Sequence, residues 1–161
     1  MKNKAPRSGA ASKGVAKAGA SPQPFNQPLQ PFSWPIRVYY EDTDAGGVVF
    51  YANYLGFMER ARTEWLRALG FEQPEMAEKD GVLFVVHTVN IKYLKPSRFN
   101  DSLQVTVEVV NVGGSRIRFL QQVLRGNEEI ARAEVEVVCV SADTLRPARM
   151  PDVMRMTIEK R

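Results

Sequence analysis

Several things are scarce or missing in this chain of 161 residues, and each scarcity closes off a kind of chemistry. Cys139 is its only cysteine and His87 its only histidine. An intrachain disulfide, a cysteine-rich zinc site and a cluster of histidine ligands are therefore excluded. A carboxylate-dominated metal site would remain, but no spacing suggests one, so no metal or other cofactor is expected. The usual Ser/His and Cys/His nucleophile pairs are also gone unless His87 serves. No run of about eighteen apolar residues occurs, so nothing reads as a transmembrane segment, and the N-terminus lacks the apolar stretch of a secretory signal. A cytoplasmic protein is expected. Acidic residues are absent from the first 33 positions, where Lys2, Lys4, Arg7, Lys13 and Lys17 stand. Those five charges exceed the whole formal net charge of +4, so the basic character belongs to a tail and the rest makes no case for nucleic acid.

With 44% hydrophobic residues, the chain can fill one core. Residues 1–33 are rich in Ala, Gly, Ser, Lys, Gln and Pro and cannot bury enough surface to offset chain entropy, which predicts a disordered extension. Residues 34–161 form the expected domain. "WPIRVYYE" alternates Ile36, Val38 and Tyr40 against Arg37 and Tyr39, as a strand with one buried face does. From about Ala52 the period becomes helical, with Leu55, Met58, Ala61 or Arg62, Trp65, Leu66 and Leu69 at steps of three and four, and Gly70 is a natural helix terminator. After a polar connection come "VLFVVHTVNIKYL", "DSLQVTVEVVNV", "SRIRFLQQVLR" and "EIARAEVEVVCVSA", joined by "KPSRFN", "GG" and "GNE". Joints this short predict antiparallel pairing of consecutive strands. A short helix from Pro151 completes an α+β fold in which a long helix faces a curved antiparallel sheet of about five strands, the hotdog arrangement. Cys139 reads as a small buried strand residue. His87 shares its alternation class with Leu83, Val85, Val89 and Ile91, which predicts a structural histidine on an apolar face.

Between the first strand and the helix lies "VYYEDTDAGGVVFYANY", with more polar chemistry than a turn needs. Taken alone, Asp44 is a turn or cap aspartate. Gly46 and Gly47 permit positive φ and leave no side chain between the backbone and a ligand. A helix N-terminus beside them offers unpaired N–H donors and about half a positive charge, suited to an oxygen that gains charge during reaction.

The stretch "YYEDTDAGGVVFYANYLGFMERARTEWLRALGF", with "IKYLKPSRFND" and "RPARMP", resembles the hotdog acyl-CoA thioesterases of the 4-hydroxybenzoyl-CoA thioesterase superfamily. Within these it is most similar to the YbgC-type enzymes associated with the Tol-Pal system. The resemblance runs from about Trp34 to Pro151. It implies hydrolysis of an acyl-CoA, or of an acyl group on acyl carrier protein, without a metal. It assigns the catalytic carboxylate to Asp44, leaves Asp42 to shape the loop, and gives the Tyr51 N–H the task of polarising the thioester carbonyl. It places Tyr40 in the same site. Many YbgC-type members carry histidine where this chain has Tyr51, so a side-chain base role there does not transfer, whereas an N–H role needs no particular side chain. The resemblance further implies a homodimer or homotetramer with sheets joined edge to edge and sites built from two subunits.

Coenzyme A brings phosphates, so cations should line one mouth of the site. Lys95, Arg98, Arg116 and Arg118 are the candidates, with Arg116 favoured because the matching family region lies there and its fork can grip phosphate, and with Ser115 adding a hydroxyl. Gly47 is expected to let the backbone approach the substrate. Glu59 can pair with Arg62 or Thr63 along the helix and is left out of the site. The alternative function is a hotdog module that binds acyl carrier protein or a cell-envelope assembly without catalysis, because fold alone does not decide activity.

Overall fold

The computed structural model describes residues 31–160. The expected disorder of the N-terminal extension falls outside that range, except that Phe32 and Ser33 belong to the first strand. That strand, β1 (Phe32–Arg37), is followed by a 3-10 turn (Tyr40–Asp42) and α1 (Asn53–Ala68). The polar connection is helical: α2 (Gln73–Glu75) runs into a π turn (Met76–Asp80). Then come β2 (Val82–Tyr93), β3 (Ser102–Val112), β4 (Arg116–Arg125), β5 (Glu128–Ser141) and α3 (Asp152–Glu159).

The five strands form one antiparallel sheet in the order β1-β3-β4-β5-β2. Its inner face follows from strict alternation. Leu103, Val105 and Val107 of β3, Ile117, Phe119 and Val123 of β4, and Ala131, Ala133, Val135, Val137 and Cys139 of β5 are all buried. Against them α1 lays Tyr54, Phe57, Met58, Ala61, Trp65 and Leu66, and the Trp65 ring meets Phe119 edge-on at 5.2 Å. Complete burial of Phe57 alone is worth about 2–3 kcal/mol. Leu55, expected on this face, is exposed; Tyr54 and Phe57 take its place. The helix stops at Gly70, whose φ of +90° is glycine's region, and the Phe71 N–H returns to the Leu66 carbonyl.

Two further expectations change. β2 and β3 are not paired with each other, although β3–β4 and β4–β5 are. Residues 94–101 link them, a stretch that reaches about 27 Å when extended. Crossing three inter-strand gaps needs only about 14 Å, so a joint too short for a parallel return can still skip two strands of the sheet. The connection is tied down by Leu94 N–H to the Ile130 carbonyl at 2.8 Å and Asn100 N–H to the Val38 carbonyl at 2.9 Å. His87 sits where the β2–β5 register shifts between Val86 and Thr88. That bulge breaks the alternation and turns His87 onto the exposed outer face, 3.5 Å from Glu136.

Candidate active site

The first strand ends earlier than its alternation suggests. Asp42 causes this: its carboxylate accepts the Tyr39 N–H at 2.8 Å, and the Asp42 N–H donates to the Tyr39 carbonyl at 3.1 Å. The chain closes into the 3-10 turn and Tyr40, expected on the strand, is carried outward, where it is 73% exposed and stacked on Phe99 at 3.7 Å. The Asp42 carbonyl accepts the Phe50 N–H at 2.8 Å and Asn53 Nδ2 at 2.9 Å, which fixes the entry to α1. Asp42 is thus a buried organiser of the loop.

Asp44 stands at the tip of a tight turn closed by the Thr43–Val49 bridge and by Asp44 N–H to the Val48 carbonyl at 3.0 Å. Its Oδ1 accepts the Gly46 N–H at 2.8 Å, and its carbonyl accepts the Gly47 N–H at 2.9 Å. Gly47 has φ +71°, where any side chain strains the backbone. At Gly46 a Cβ would come within 3.0 Å of Asp44 Oδ1. One carboxylate oxygen is therefore held by the loop, and the Asp44 side chain is exposed in a single copy.

Tyr51 lies two residues before the first helical residue, Asn53. Its N–H has no acceptor among the described residues, which leaves it free for a ligand at the positive end of a helix of 16 residues. Its carbonyl accepts the Tyr93 hydroxyl at 3.0 Å. Beside it opens a hollow of about 290 Å³ whose lining includes Tyr51, Tyr54, Tyr93 and Lys95. Burial pushes the Tyr93 phenol above its ordinary pKa, with Tyr51 and Tyr54 adding to the effect. Tyr54 is core, its hydroxyl accepting the Ser97 N–H at 3.2 Å. Tyr93, at the end of β2, is the neighbour of Tyr51 that periodicity gives no reason to single out.

Lys95 shares the hollow with Tyr51 and pairs with Glu128 at 2.6 Å. Ser115 and Arg116 do not. Tyr93 pairs with Ala131 and Arg116 with Val138, seven residues further along β5, so the two ends are about 23 Å apart in one chain. Arg116 Nη1 bonds Glu136 at 2.6 Å, and the Ser115 carbonyl accepts the Cys139 N–H at 2.7 Å. Glu59 accepts the Thr63 hydroxyl at 2.8 Å, whereas Arg62 turns to Gln121 instead.

A single antiparallel sheet with a helix across its inner face, and an Asp-Gly turn feeding that helix, is consistent with the hotdog thioesterase fold. The profile of the thioesterase-like superfamily matches residues 38–158, and the chain belongs to that superfamily. The chain is 47% identical over 120 residues to an acyl-CoA thioesterase YbgC of Haemophilus influenzae, covering 74% of this chain and 88% of that one. To an acyl-CoA thioester hydrolase YbgC of Escherichia coli O6:H1 it is 45% identical over 122 residues, covering 74% and 90%. Among solved structures, a probable thioesterase from Bartonella henselae superposes with a TM-score of 0.73 at 32% identity, over 76% of this chain and all of the other.

Proposed function

We propose that this protein is an acyl-CoA thioesterase, splitting R–CO–S–CoA with water into R–COO⁻, a proton and HS–CoA. The observation that carries the reading is the identity of nearly half the aligned residues with those of proteins named for that activity, over a stretch that includes the Asp-Gly turn and the helix entry. In this reading α1 is the central helix of the fold, the Tyr51 N–H holds the thioester oxygen as it gains charge, and the free oxygen of Asp44 serves the carbonyl carbon. Asp44 acts either as base toward water or as nucleophile through a transient anhydride, and both routes use the same placement. An acyl group on the phosphopantetheine of acyl carrier protein presents the same thioester. No observation favours the alternative of a non-catalytic module. A cytoplasmic site of action forms part of the proposal.

The exposure of Asp44 in one copy supports a site completed by a second. The sheet has two edges. β1 is six residues long and carries Pro35, which has no N–H to offer a neighbour. β2 is twelve residues long, has no proline, and leaves Val86 and Val89 exposed. Antiparallel pairing of two β2 edges reverses the second copy, setting its Ser115–Arg116 end beside the Tyr51–Lys95 end of the first. That arrangement brings together the residues separated by about 23 Å in one chain, and two such dimers can build a tetramer. Tyr40 and Gly47 complete the proposed substrate surface.

The test is free-thiol release from a panel of aliphatic and aromatic acyl-CoA and acyl carrier protein thioesters, alongside sedimentation of the protein. Turnover by a dimer or larger assembly is expected. A protein inactive on every thioester would hand the case to the binding module.

A further inference from the structure

In the proposed reaction the Tyr51 N–H must point where the thioester oxygen arrives, and a donor stabilises growing charge best when it is fixed beforehand. Tyr51 is poorly placed to fix itself. It precedes the first helical residue by two positions and its side chain is 62% exposed, so packing does not lock its backbone. The hold must come from the peptide groups on either side of its Cα.

Those two groups are tied differently. In the peptide before the Cα, the Phe50 carbonyl accepts the Asn53 N–H at 2.9 Å, a bond that the helix entry makes for itself. In the peptide after it, the Tyr51 carbonyl accepts the Tyr93 hydroxyl at 3.0 Å, a tie that reaches Tyr51 from outside its own loop and helix. A carbonyl only accepts, so the phenol is the donor. Burial raises the phenol's pKa and keeps the proton on it.

Tyr93 comes from a rigid element. It ends the twelve-residue β2 opposite Ala131 of β5, and the next two N–H groups, of Leu94 and Lys95, both reach the Ile130 carbonyl, at 2.8 and 3.1 Å. Its ring lies 5.7 Å from that of Tyr54 and meets Tyr51 edge-on at 6.3 Å. The same two segments are joined again by Val49 N–H to the Ser97 carbonyl at 2.8 Å and by Ser97 N–H to the Tyr54 hydroxyl at 3.2 Å. Tyr93 shares the inner face with the buried Ala131, so pairing of two β2 edges through their backbones does not compete for its hydroxyl.

We propose that Tyr93 is a positioning residue: by holding the Tyr51 carbonyl, its hydroxyl sets the direction of the Tyr51 N–H beside the hollow that both residues line. It touches no reacting atom in this role. The kinetic consequence rests on the thioesterase reading, whereas the aim of the N–H rests on geometry alone. Complete loss of such a donor costs about 10²–10³ in kcat, and a displacement of about 1 Å costs about a hundredfold. A loosened donor keeps part of its effect, so Tyr93→Phe should lower kcat roughly five- to fiftyfold. KM should move less than twofold, because the N–H gains most from an oxygen already taking on charge.

The test joins kinetics to a direct view of the amide. Tyr93 is 44% exposed and phenylalanine keeps its ring contacts, so the variant should fold as the parent does. The chain has five tyrosines, so ¹⁵N-tyrosine labelling of the full-length protein reports five amides, and Tyr51→Phe identifies that of residue 51. In Tyr93→Phe the heteronuclear NOE of the Tyr51 amide should fall toward that of a flexible loop, while those of Tyr39 and Tyr54 stay as they are. A Tyr51 amide as rigid as in the parent, or a kcat within twofold of the parent's, overturns the proposal. So does a rise in KM as large as the loss in kcat, which marks a disturbed pocket rather than a misaimed donor. Should the parent hydrolyse no thioester, the thioesterase reading fails, and the amide signal decides by itself whether Tyr93 aims the N–H.

Discussion

Adjacent glycines in the Asp44 turn lend themselves to a paired experiment, Gly46→Ala and Gly47→Ala, because the structure gives them different tasks. At Gly47 the backbone has φ +71° and open space around the absent Cβ. Alanine there fits without contact but pays for the left-handed conformation, about 1–2 kcal/mol. For a folded region of this size that lowers Tm by roughly 3–8 °C. At Gly46 the backbone is unstrained, and the new Cβ would lie 3.0 Å from Asp44 Oδ1. The carboxylate is the end of a flexible side chain, so it gives way by a few tenths of an ångström at a small cost in stability. It also loses the good geometry of the 2.8 Å bond from the Gly46 N–H that aims it. Since a displacement of about 1 Å at a reacting centre costs about a hundredfold, a shift of this size should lower kcat by roughly three- to tenfold. Thermal melts and free-thiol release from acyl-CoA thus separate the pair: Gly46→Ala keeps its Tm and loses turnover, and Gly47→Ala loses Tm. If Gly46→Ala turns over at the parent rate while its Tm falls by the amount expected of Gly47→Ala, the loop glycines serve the fold only and the aiming of Asp44 has been misread.

Other outcomes are open to measurement. Arg116→Ala should raise KM for CoA esters much more than for short pantetheine esters; equal effects on both remove Arg116 from phosphate binding. Hydrogen bonds from Lys95 and Arg125 hold Glu128 below its ordinary pKa. Burial raises Asp101, but the Arg98 N–H and Arg125 outweigh it and the net shift is downward. Depressed carboxylates contribute stability that is present above their unfolded values, near pH 4, and lost as pH falls through the folded ones. Arg125→Gln should therefore lower the urea midpoint at pH 7 and narrow its gap to the midpoint at pH 3, whereas an unchanged gap would deny the network that role. Phe57→Ala, at the centre of the buried helix face, should cost about 3–5 kcal/mol in urea denaturation.

Much of the fold was legible because its pattern is local. β3, β4 and β5 announce themselves by alternation, α1 by steps of three and four, and its end by Gly70. What escaped was decided by contacts remote in sequence or by a single extra residue. The β2–β3 crossing depends on the reach of residues 94–101 and on their bonds to Ile130 and Val38, which no local pattern records. His87 was misplaced because one bulge inverts the faces of a strand. Tyr40 left the strand because the Asp42 carboxylate captured the Tyr39 N–H. In the site, Asp44, Gly47 and Tyr51 occupy the turn and helix entry that the stretch suggested, but Arg116 stands far from them in one copy. That separation is a fact of register, visible only once β4, β5 and β2 are aligned. Arg62 likewise looked like the partner of Glu59 three residues away, and its bond to Gln121, 59 positions on, was not available from the helix alone.

The most direct test of the account is the steady-state and single-turnover rate of Asp44→Asn with an acyl-CoA that the parent protein hydrolyses. Asparagine keeps an oxygen to accept the Gly46 N–H, so the turn and Tm should survive while the ionised group disappears. The account predicts that kcat falls by roughly 10²–10⁴, with KM changed little. A variant that hydrolyses the thioester within threefold of the parent rate would show that the carboxylate at position 44 is not the group that acts on the carbonyl.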